Sequence, residues 1–279
     1  MYSGSTLTPA SGRILGAHQK IDRRARKHLA GLLTPDVTFP SSRRILHFEG
    51  QNGPDAIKRK SPAKDEPWHY FNPFDESDVM LIGLIQAHYD NLVEALQRND
   101  DVVAAFEAAW LAHAVVDGLT PAHHYPYEEK LVELRGGLGL ETRVTIRDKL
   151  VLPGDTRRQA VSNNWKMWGP KGLFTTHYAF EWGVSTLLLA RTPVAASRPD
   201  DNDFKMMHSM PLGDYFRMSA KEVAALGLYD RFYRSGWTVQ LAREVRRQLI
   251  PAIIKAVTMV WYKAAMDAQR LLEQNEDAA

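Results

Sequence analysis

The sequence predicts an all-α fold, organised as a single helical domain with long ordered loops, and three observations support this. Apolar residues recur at three- and four-residue intervals over most of the chain, which is typical of amphipathic helices. Only one short stretch, 143–151, alternates enough to predict a strand or an edge piece. Neither an internal repeat nor a linker between two cores divides residues 1–279.

The individual elements follow from this pattern in chain order. Residues 1–12 are rich in Ser, Thr, Gly and Pro and predict a flexible lead-in. Prolines between 34 and 76 break the helical rhythm, but aromatic residues in the same stretch indicate a long ordered loop. Pro251 should kink the last helix or mark the start of a new one. Helices are predicted at 14–33, 75–96, 101–119, 171–191, 214–228 and 238–272.

Composition limits the partners and the ligands. A formal net charge of +2 gives no electrostatic argument for nucleic acid or an anionic membrane as the main partner. The chain has no cysteine, so any metal must be bound by nitrogen and oxygen. We expect no transmembrane segment, because Pro251 and Lys255 interrupt the longest apolar run, 249–262. The first residues lack the pattern of a signal peptide, which predicts a cytoplasmic protein, or a secreted one if a signal has been removed.

The segment 110–129 carries the residues that are most informative about function. His113 and Asp117 are four residues apart, so on a helix they project from one face and can hold a single metal ion. Pro121 then ends the helix, and His123 follows on the turn that leads back toward the same face. Two nitrogen donors and a carboxylate are therefore expected to converge.

A second pair, His177 and Glu181, repeats the same spacing on a predicted helix downstream. Two such helices side by side would offer three histidines and two carboxylates to one pocket, and this mixture suits catalytic zinc. A histidine followed four residues later by an acid is weak by itself, since composition alone gives roughly one such pair. The longer string from His113 to His123 is more specific, because chance should produce it in roughly a few chains per thousand.

The pattern resembles that of the zinc-dependent bacterial phospholipase C family and of the related single-strand-specific zinc nucleases of fungi and plants. Members of both groups are helical, hold three zinc ions in a cleft and cleave phosphodiesters with a metal-bound water. His18, His69 in WHYFNPF and Asp55 match further positions of the family pattern, so that the resemblance extends from about residue 18 to 190. The string that carries the resemblance is His113, Asp117, Pro121, His123, His177 and Glu181.

The resemblance implies a set of metal ligands divided among the ions. Asp55 would in addition orient the attacking water or take its proton. From the residues alone, Asp65 and Glu49 remain alternatives to Asp55 as the loop carboxylate, and His124 could replace His123. The implied sets are Asp55, His69, His113 and Asp117 for one zinc, His123, His177 and Glu181 for a second, and His18, with Asp117 bridging, for a third.

The start of the chain departs from the family pattern. Family members usually begin with a tryptophan whose free amine and carbonyl bind the third zinc. Here seventeen residues precede His18 and none of them is tryptophan. Two zinc ions and three are therefore both compatible with the sequence, and an internal group could replace the terminal amine.

The function that the resemblance implies is zinc-dependent phosphodiester hydrolysis of the phospholipase C kind. The substrate would be a phospholipid headgroup or another phosphodiester, with peripheral contact to a membrane, and the aromatic loop Trp68–Phe74 could form an apolar rim for lipid. One alternative is a single-strand nuclease or nucleotidase of the same fold, which the near-neutral charge supports less. Another is a helical scaffold protein that binds metal and catalyses nothing.

Overall fold

The structure is a computed structural model and describes residues 1–3, 16–58, 60–189 and 197–277. Within these ranges the regular structure is helical and no strand is present, which confirms the predicted all-α class. The helices are α1 (Ala17–Ala30), α2 (Met80–Gln97), α3 (Asp101–Gly118), α4 (Tyr127–Leu134), α5 (Ile146–Leu150), α6 (Arg157–Trp168), α7 (Leu173–Leu187), α8 (Asp201–Ser209), α9 (Leu212–Ala225), α10 (Leu228–Ser235), α11 (Val239–Glu244) and α12 (Ile250–Asp277). Shorter helical turns lie at Ser42–Ile45, Leu46–Phe48, Gly50–Asn52, Pro54–Ile57, Ala63–Asp65, Pro121–His124 and Leu140–Thr142.

The main core surrounds α3, which is buried along most of its length. Alanine occupies many of its positions, so α1, α2 and α12 can pack closely against it. Gly118, the last residue of the helix, lies against the ring of Phe216. A Cβ atom at this position would be 2.3 Å from the phenyl ring, so only glycine leaves room for it. From the other side the indole N–H of Trp261 donates to the carbonyl of Ala108 at 2.9 Å. The helix that carries His113 and Asp117 is thus held on several sides.

A second, smaller core lies between α4 and α6. It consists of Tyr127 and Leu131 from α4, Leu152, and Met167 from α6. Tyr70, from the loop before α2, stacks on Tyr127 with ring centroids 5.3 Å apart. The small core therefore attaches α4–α6 to the loop that contributes predicted site residues.

The strand predicted at 143–151 is wrong, since these residues contain α5 instead. The Thr145 hydroxyl accepts a hydrogen bond from the backbone N–H of Asp148 at 3.3 Å, and the Asp148 carboxylate accepts one from the backbone N–H of Thr145 at 2.8 Å. This reciprocal cap satisfies two amides at the helix start and outweighs the weak alternation of apolar residues.

The start of the chain is also different from the predicted flexible lead-in. Residues 1–3 are buried, and the carbonyl of Tyr2 accepts a hydrogen bond from the backbone N–H of Ala17 at 2.8 Å. Residues 4–12 lie outside the described residues. The helix predicted at 14–33 is shorter, because α1 begins at Ala17 and ends at Ala30.

The C-terminal helices run on from α11 through a π-helical turn, Val245–Leu249, into α12. Pro251 is the second residue of α12 and follows the π-helical turn directly, inside a helix that runs on without a break. In that turn the backbone hydrogen bonds already depart from the α-helical pattern, so a residue without an N–H is tolerated there. Within the described residues Val239–Asn275 is the one helical stretch long and apolar enough to cross a membrane, so Pro251 and Lys255 do not shorten it as expected. However, 72% of its most apolar window is buried within the fold, which makes it weak support for a membrane span.

Candidate metal centre

Three helices, one turn and one loop bring the eight predicted site residues together. On α3 and on α7 the four-residue spacing places a histidine and an acid one turn apart on the same face. The turn Pro121–His124 reverses the chain after α3, so the next histidine returns to that face. The eight residues are His18 from α1, Asp55 and His69 from the loop, His113 and Asp117 from α3, His123 from the turn, and His177 and Glu181 from α7.

Asp117 lies at the centre of the cluster and divides its two carboxylate oxygens between different neighbours. Its Oδ2 atom is 2.5 Å from Nδ1 of His69 and 3.2 Å from Nε2 of His113. Its Oδ1 atom is 3.3 Å from Nε2 of His18. A carboxylate with this arrangement can bridge two ions.

A separate group of donors lies beside Asp117. Oε1 of Glu181 is 2.8 Å from Nε2 of His123 and 3.1 Å from Nε2 of His177. The two imidazole rings stack with their centroids 5.0 Å apart. Each of the three residues therefore turns one donor atom toward a common point.

The amino group of Met1 lies between these groups. It contacts Asp117 and is 3.2 Å from Oε1 of Glu181 and 3.5 Å from Nε2 of His123. The carbonyl oxygen of the same residue is 2.8 Å from Nε2 of His18. Met1 thus supplies an amine and a carbonyl at the place where the sequence left open either no third ion or an internal substitute for the terminal amine.

The donor set fits zinc in both chemistry and spacing. Two donors bound to a tetrahedral zinc at about 2.0–2.1 Å stand about 3.3 Å apart. Here the closest separations between histidine and carboxylate donors range from 2.5 Å, for His69 and Asp117, to 3.8 Å, for His113 and Asp55. In addition, Nε2 of His113, which lies 3.2 Å from Oδ2 of Asp117, is buried and has no hydrogen-bond partner. Buried nitrogens without a partner are costly, and a bound cation would satisfy them.

Three carboxylates are ionised in the buried part of the cluster, and the cations beside them keep them so. Burial acts to raise the pKa of Asp117 and of Glu181, but the Met1 amine and the neighbouring histidines outweigh it and hold both pKa values well below their usual range. For Asp55 burial likewise acts to raise the pKa, while Lys58 and then the histidines lower it below its usual value. Three ionised carboxylates in one buried place require cations for stability.

Carbonyl and carboxylate groups behind the cluster orient two of the imidazoles. Nδ1 of His113 lies 3.1 Å from Oε1 of Glu49, and Nδ1 of His123 lies 2.7 Å from the carbonyl oxygen of His69. Donation from each Nδ1–H leaves Nε2 facing the cluster as a lone-pair donor. Burial acts to lower the pKa of His113, but Asp117 and Glu49 raise it to about 10, so a metal ion would displace a proton there.

The positions of three side chains decide between the alternatives that the sequence left open. Asp65 is exposed and outside the cluster, and Glu49 lies behind His113, so Asp55 is the loop carboxylate at the site. Nε2 of His124 donates to the carbonyl of Gly118 at 2.8 Å, which directs this ring away from the cluster.

A pocket of about 610 Å³ opens onto the cluster and has two chemically different walls. One wall carries the donors of the cluster, and the other rests on the small core. We call these the ligand wall, lined by Met1, Asp55, His123, His177 and Glu181, and the apolar wall, lined by Leu131, Ile146, Leu150, Met167, Trp168 and Phe174.

The prediction that the aromatic loop Trp68–Phe74 supplies the apolar side chains of the pocket is wrong. Of that loop only Tyr70 lines the pocket, whereas Phe71 is buried in the main core and Phe74 points to solvent. The apolar side chains come from 131–174 instead, a region for which the sequence predicted mainly loop.

Sequence reasoning missed Met1 and Lys58 at the site, and it offered Glu49 only as an alternative loop carboxylate. The position of Met1 has no local signal, because it depends on where the chain lies relative to α1, α3 and α7. The role of Glu49 behind His113 is likewise a tertiary contact. Lys58 could have been found, since it follows Asp55 by three residues on a helical turn, and its Nζ lies 2.8 Å from Oδ1 of Asp55.

Comparisons with family models, with curated proteins and with solved structures give no match to this chain.

Proposed function

We propose that the protein is a zinc-dependent phosphodiesterase of the phospholipase C kind, with residues that would hold three zinc ions. The observation that carries this proposal is the Asp117 carboxylate, which is shared between two groups of histidines and lies beside a third group of donors. The proposed sets are Asp55, His69, His113 and Asp117 for one ion, His123, His177 and Glu181 for another, and His18, Asp117 and the amine and carbonyl of Met1 for the third.

Zinc at these positions would supply positive charge for a phosphate that gains negative charge during reaction, and would make a hydroxide available near neutral pH. The protein contributes the carboxylates and imidazoles that would fix the positions of these ions. Because the pKa values of Asp55, Asp117 and Glu181 are low, all three carboxylates are ready to bind cations at neutral pH without losing a proton.

Two side chains that line the pocket, Asp55 and Lys58, would act on the substrate directly. Asp55 is ionised and lines the pocket, so its carboxylate can orient a water molecule by accepting a hydrogen bond, or take its proton. Lys58 also lines the pocket, 2.8 Å from that carboxylate, and is half-exposed. If Asp55 holds a cation, the Lys58 ammonium would be available to bind a phosphate oxygen.

The apolar wall favours a lipid over a nucleic acid as the substrate. Binding a single strand would need free cations beside aromatic rings. Two cations of the pocket are paired within it instead, since Arg143 contacts Glu128 and Lys149 contacts Glu66. Aliphatic and aromatic side chains in the same pocket are better suited to the glycerol and first acyl carbons of a phospholipid.

The test compares two adjacent histidines. His123→Ala removes a proposed ligand, whereas His124→Ala removes a neighbouring imidazole that points away from the cluster. We expect about three zinc ions per wild-type chain by mass spectrometry, and measurable hydrolysis of bis(p-nitrophenyl) phosphate. His123→Ala should lose at least one ion and lower kcat/KM by about a thousandfold, about 4 kcal/mol of transition-state stabilisation, while His124→Ala keeps both.

Three outcomes would contradict the proposal in different ways. Zinc near zero in protein prepared without chelators would exclude a zinc enzyme. Bound zinc without turnover of soluble diesters, phospholipids or single-stranded DNA would leave a metal-binding scaffold. Turnover of single-stranded DNA well above that of phospholipid would move the assignment to the nuclease alternative.

A further inference from the structure

Exposed apolar side chains are concentrated beside the mouth of the pocket. Of the sixteen large apolar side chains that are exposed in the described parts of the chain, eight lie between residues 138 and 168. That stretch is a small part of the chain, so the exposure is local and is not a general property of the surface. Contiguous exposed apolar side chains mark an interaction surface more often than scattered ones do.

The arrangement of these residues on α6 is regular. Val161, Trp165 and Trp168 follow one another at i, i+4 and i+7, which places them on one face of the helix. Val161 is 71% exposed and Trp165 is 68% exposed, so this apolar face is turned to solvent. A globular helix normally shows the opposite pattern, with its apolar face toward the core.

The exposed apolar face of α6 continues onto α5. The indole N–H of Trp168 donates to the carbonyl of Leu150 at 2.9 Å, which joins the end of α6 to the end of α5. Ile146 and Leu150 of α5 are about half-exposed, and both line the pocket together with Trp168. We call Ile146, Leu150, Val161, Trp165 and Trp168 the apolar rim. It forms one border of the entrance to the candidate metal centre.

The charge of this region differs from that of the rest of the chain. Between residues 144 and 171 there are six Lys and Arg but two Asp and Glu, so this stretch carries a formal +4 while the whole chain carries +2. Arg157 and Arg158 are exposed one turn before Val161 on α6, and Lys166 and Lys171 are exposed near its other end. Exposed cations around an apolar face complement a surface of anionic headgroups over apolar chains.

We propose that the apolar rim docks on an anionic lipid bilayer, with Trp165 and Val161 entering the interface and Arg157 and Arg158 binding lipid phosphates. The role of such docking rests on the proposed function, because docking would place the pocket mouth at the membrane that contains the phospholipid substrate. Its physical basis is independent of catalysis. Tryptophan in particular is favoured at the boundary between headgroups and acyl chains.

Vesicle flotation with purified full-length protein tests this surface. We expect binding to vesicles of equimolar phosphatidylcholine and phosphatidylglycerol, and weaker binding to pure phosphatidylcholine. Trp165→Ser should lower the vesicle affinity about tenfold, because an exposed apolar ring loses its contact with the bilayer. Arg157→Gln with Arg158→Gln should lower it by about the same factor at low salt and by much less at high salt.

Phe74→Ser is the matched control, since Phe74 is 67% exposed, nearly the same as Trp165, and does not line the pocket. It should bind vesicles like the wild type. Equal losses for Phe74→Ser and Trp165→Ser would overturn the proposal, and so would wild-type protein that binds neither kind of vesicle. A wild-type dimer without lipid that Trp165→Ser converts to a monomer would assign the rim to a second copy of the chain instead.

The two proposals fail separately in this experiment. Vesicle binding that depends on Trp165, without hydrolysis of any diester, would leave the docking surface standing and remove the proposed function. Hydrolysis of bis(p-nitrophenyl) phosphate without vesicle binding would remove only the docking surface. If both hold, Trp165→Ser should slow hydrolysis of vesicle phospholipid about tenfold and leave the soluble diester unaffected.

Discussion

The two walls of the pocket rest on different cores and carry opposite chemistry. The ligand wall adjoins the donors on α1, α3 and α7, helices that pack in the main core. Behind it, His113 and His123 are buried and hydrogen-bonded to Glu49 and to the carbonyl of His69. The apolar wall rests on the small core around Met167, and several of its side chains reach solvent. Regions with fewer buried contacts open more readily than the rest of a protein. The comparison indicates a rigid ligand wall facing a wall that can open and adapt.

The largest expected effect concerns the ligand wall and the Met1 amine. We expect one glycine added before Met1 to lower the free energy of unfolding of the metal-free protein by about 3–5 kcal/mol, because Asp117 and Glu181 would lose their buried cation. The free energy of unfolding is measured by denaturant titration for two proteins, one that begins at Met1 and one that begins with the added glycine. Both are released from a fusion by a protease so that the first residue is defined.

A glycine added after Ala279 is the control for chain length and should change nothing. The metal-loaded protein should also hold one zinc fewer when glycine precedes Met1. Unchanged stability and unchanged zinc content would show that the amine has no role in the ligand wall.

A second prediction concerns the apolar wall. Met167→Ala removes a side chain that is 3% exposed from the small core, and should destabilise that region by about 3 kcal/mol through loss of burial and the cavity that remains. Hydrogen exchange should accelerate in α4 and α6 and stay slow in α3, with zinc content unchanged.

Trp165→Ser, on the same helix but exposed, should leave exchange in α4 and α6 as in the wild type. If Met167→Ala instead accelerates exchange equally in α3, the two walls belong to one cooperative unit and the proposed difference in rigidity is incorrect.

The smallest expected effect concerns the groups behind the ligand wall. Glu49→Gln keeps the size of the side chain but removes the charge that orients His113, and should weaken zinc binding by about 10- to 100-fold in a chelator competition. Asp22→Asn is the control, because burial and the neighbouring Glu49 raise the pKa of Asp22 well above its usual range. Neither carboxylate oxygen of Asp22 has a hydrogen-bond partner, so the substitution breaks no contact with a proposed ligand and should change zinc affinity little. Equal effects of both substitutions would reduce Glu49 to a packing role.

The same two walls show how far local sequence patterns reach. The four-residue spacing of His113 with Asp117 and of His177 with Glu181 fixes the relative placement of each pair once a helix forms. The donor pairs on α3 and α7 were therefore predictable. The apolar wall was not, because 120–160 has weak periodicity, and α5 owes its start to the Thr145 cap.

The sequence by itself determined the helical class, the absence of thiolate ligands and the donor pairs, since these depend on composition and on contacts within one or two turns. Only the tertiary structure decided that Asp55 rather than Glu49 or Asp65 enters the site, that His124 points away, and that Met1 lies between Asp117 and Glu181. The physical reason is that these outcomes depend on how α1, α3, α7 and the loop before α2 pack together. Packing of distant segments is set by the shape of the shared core, which no local spacing encodes.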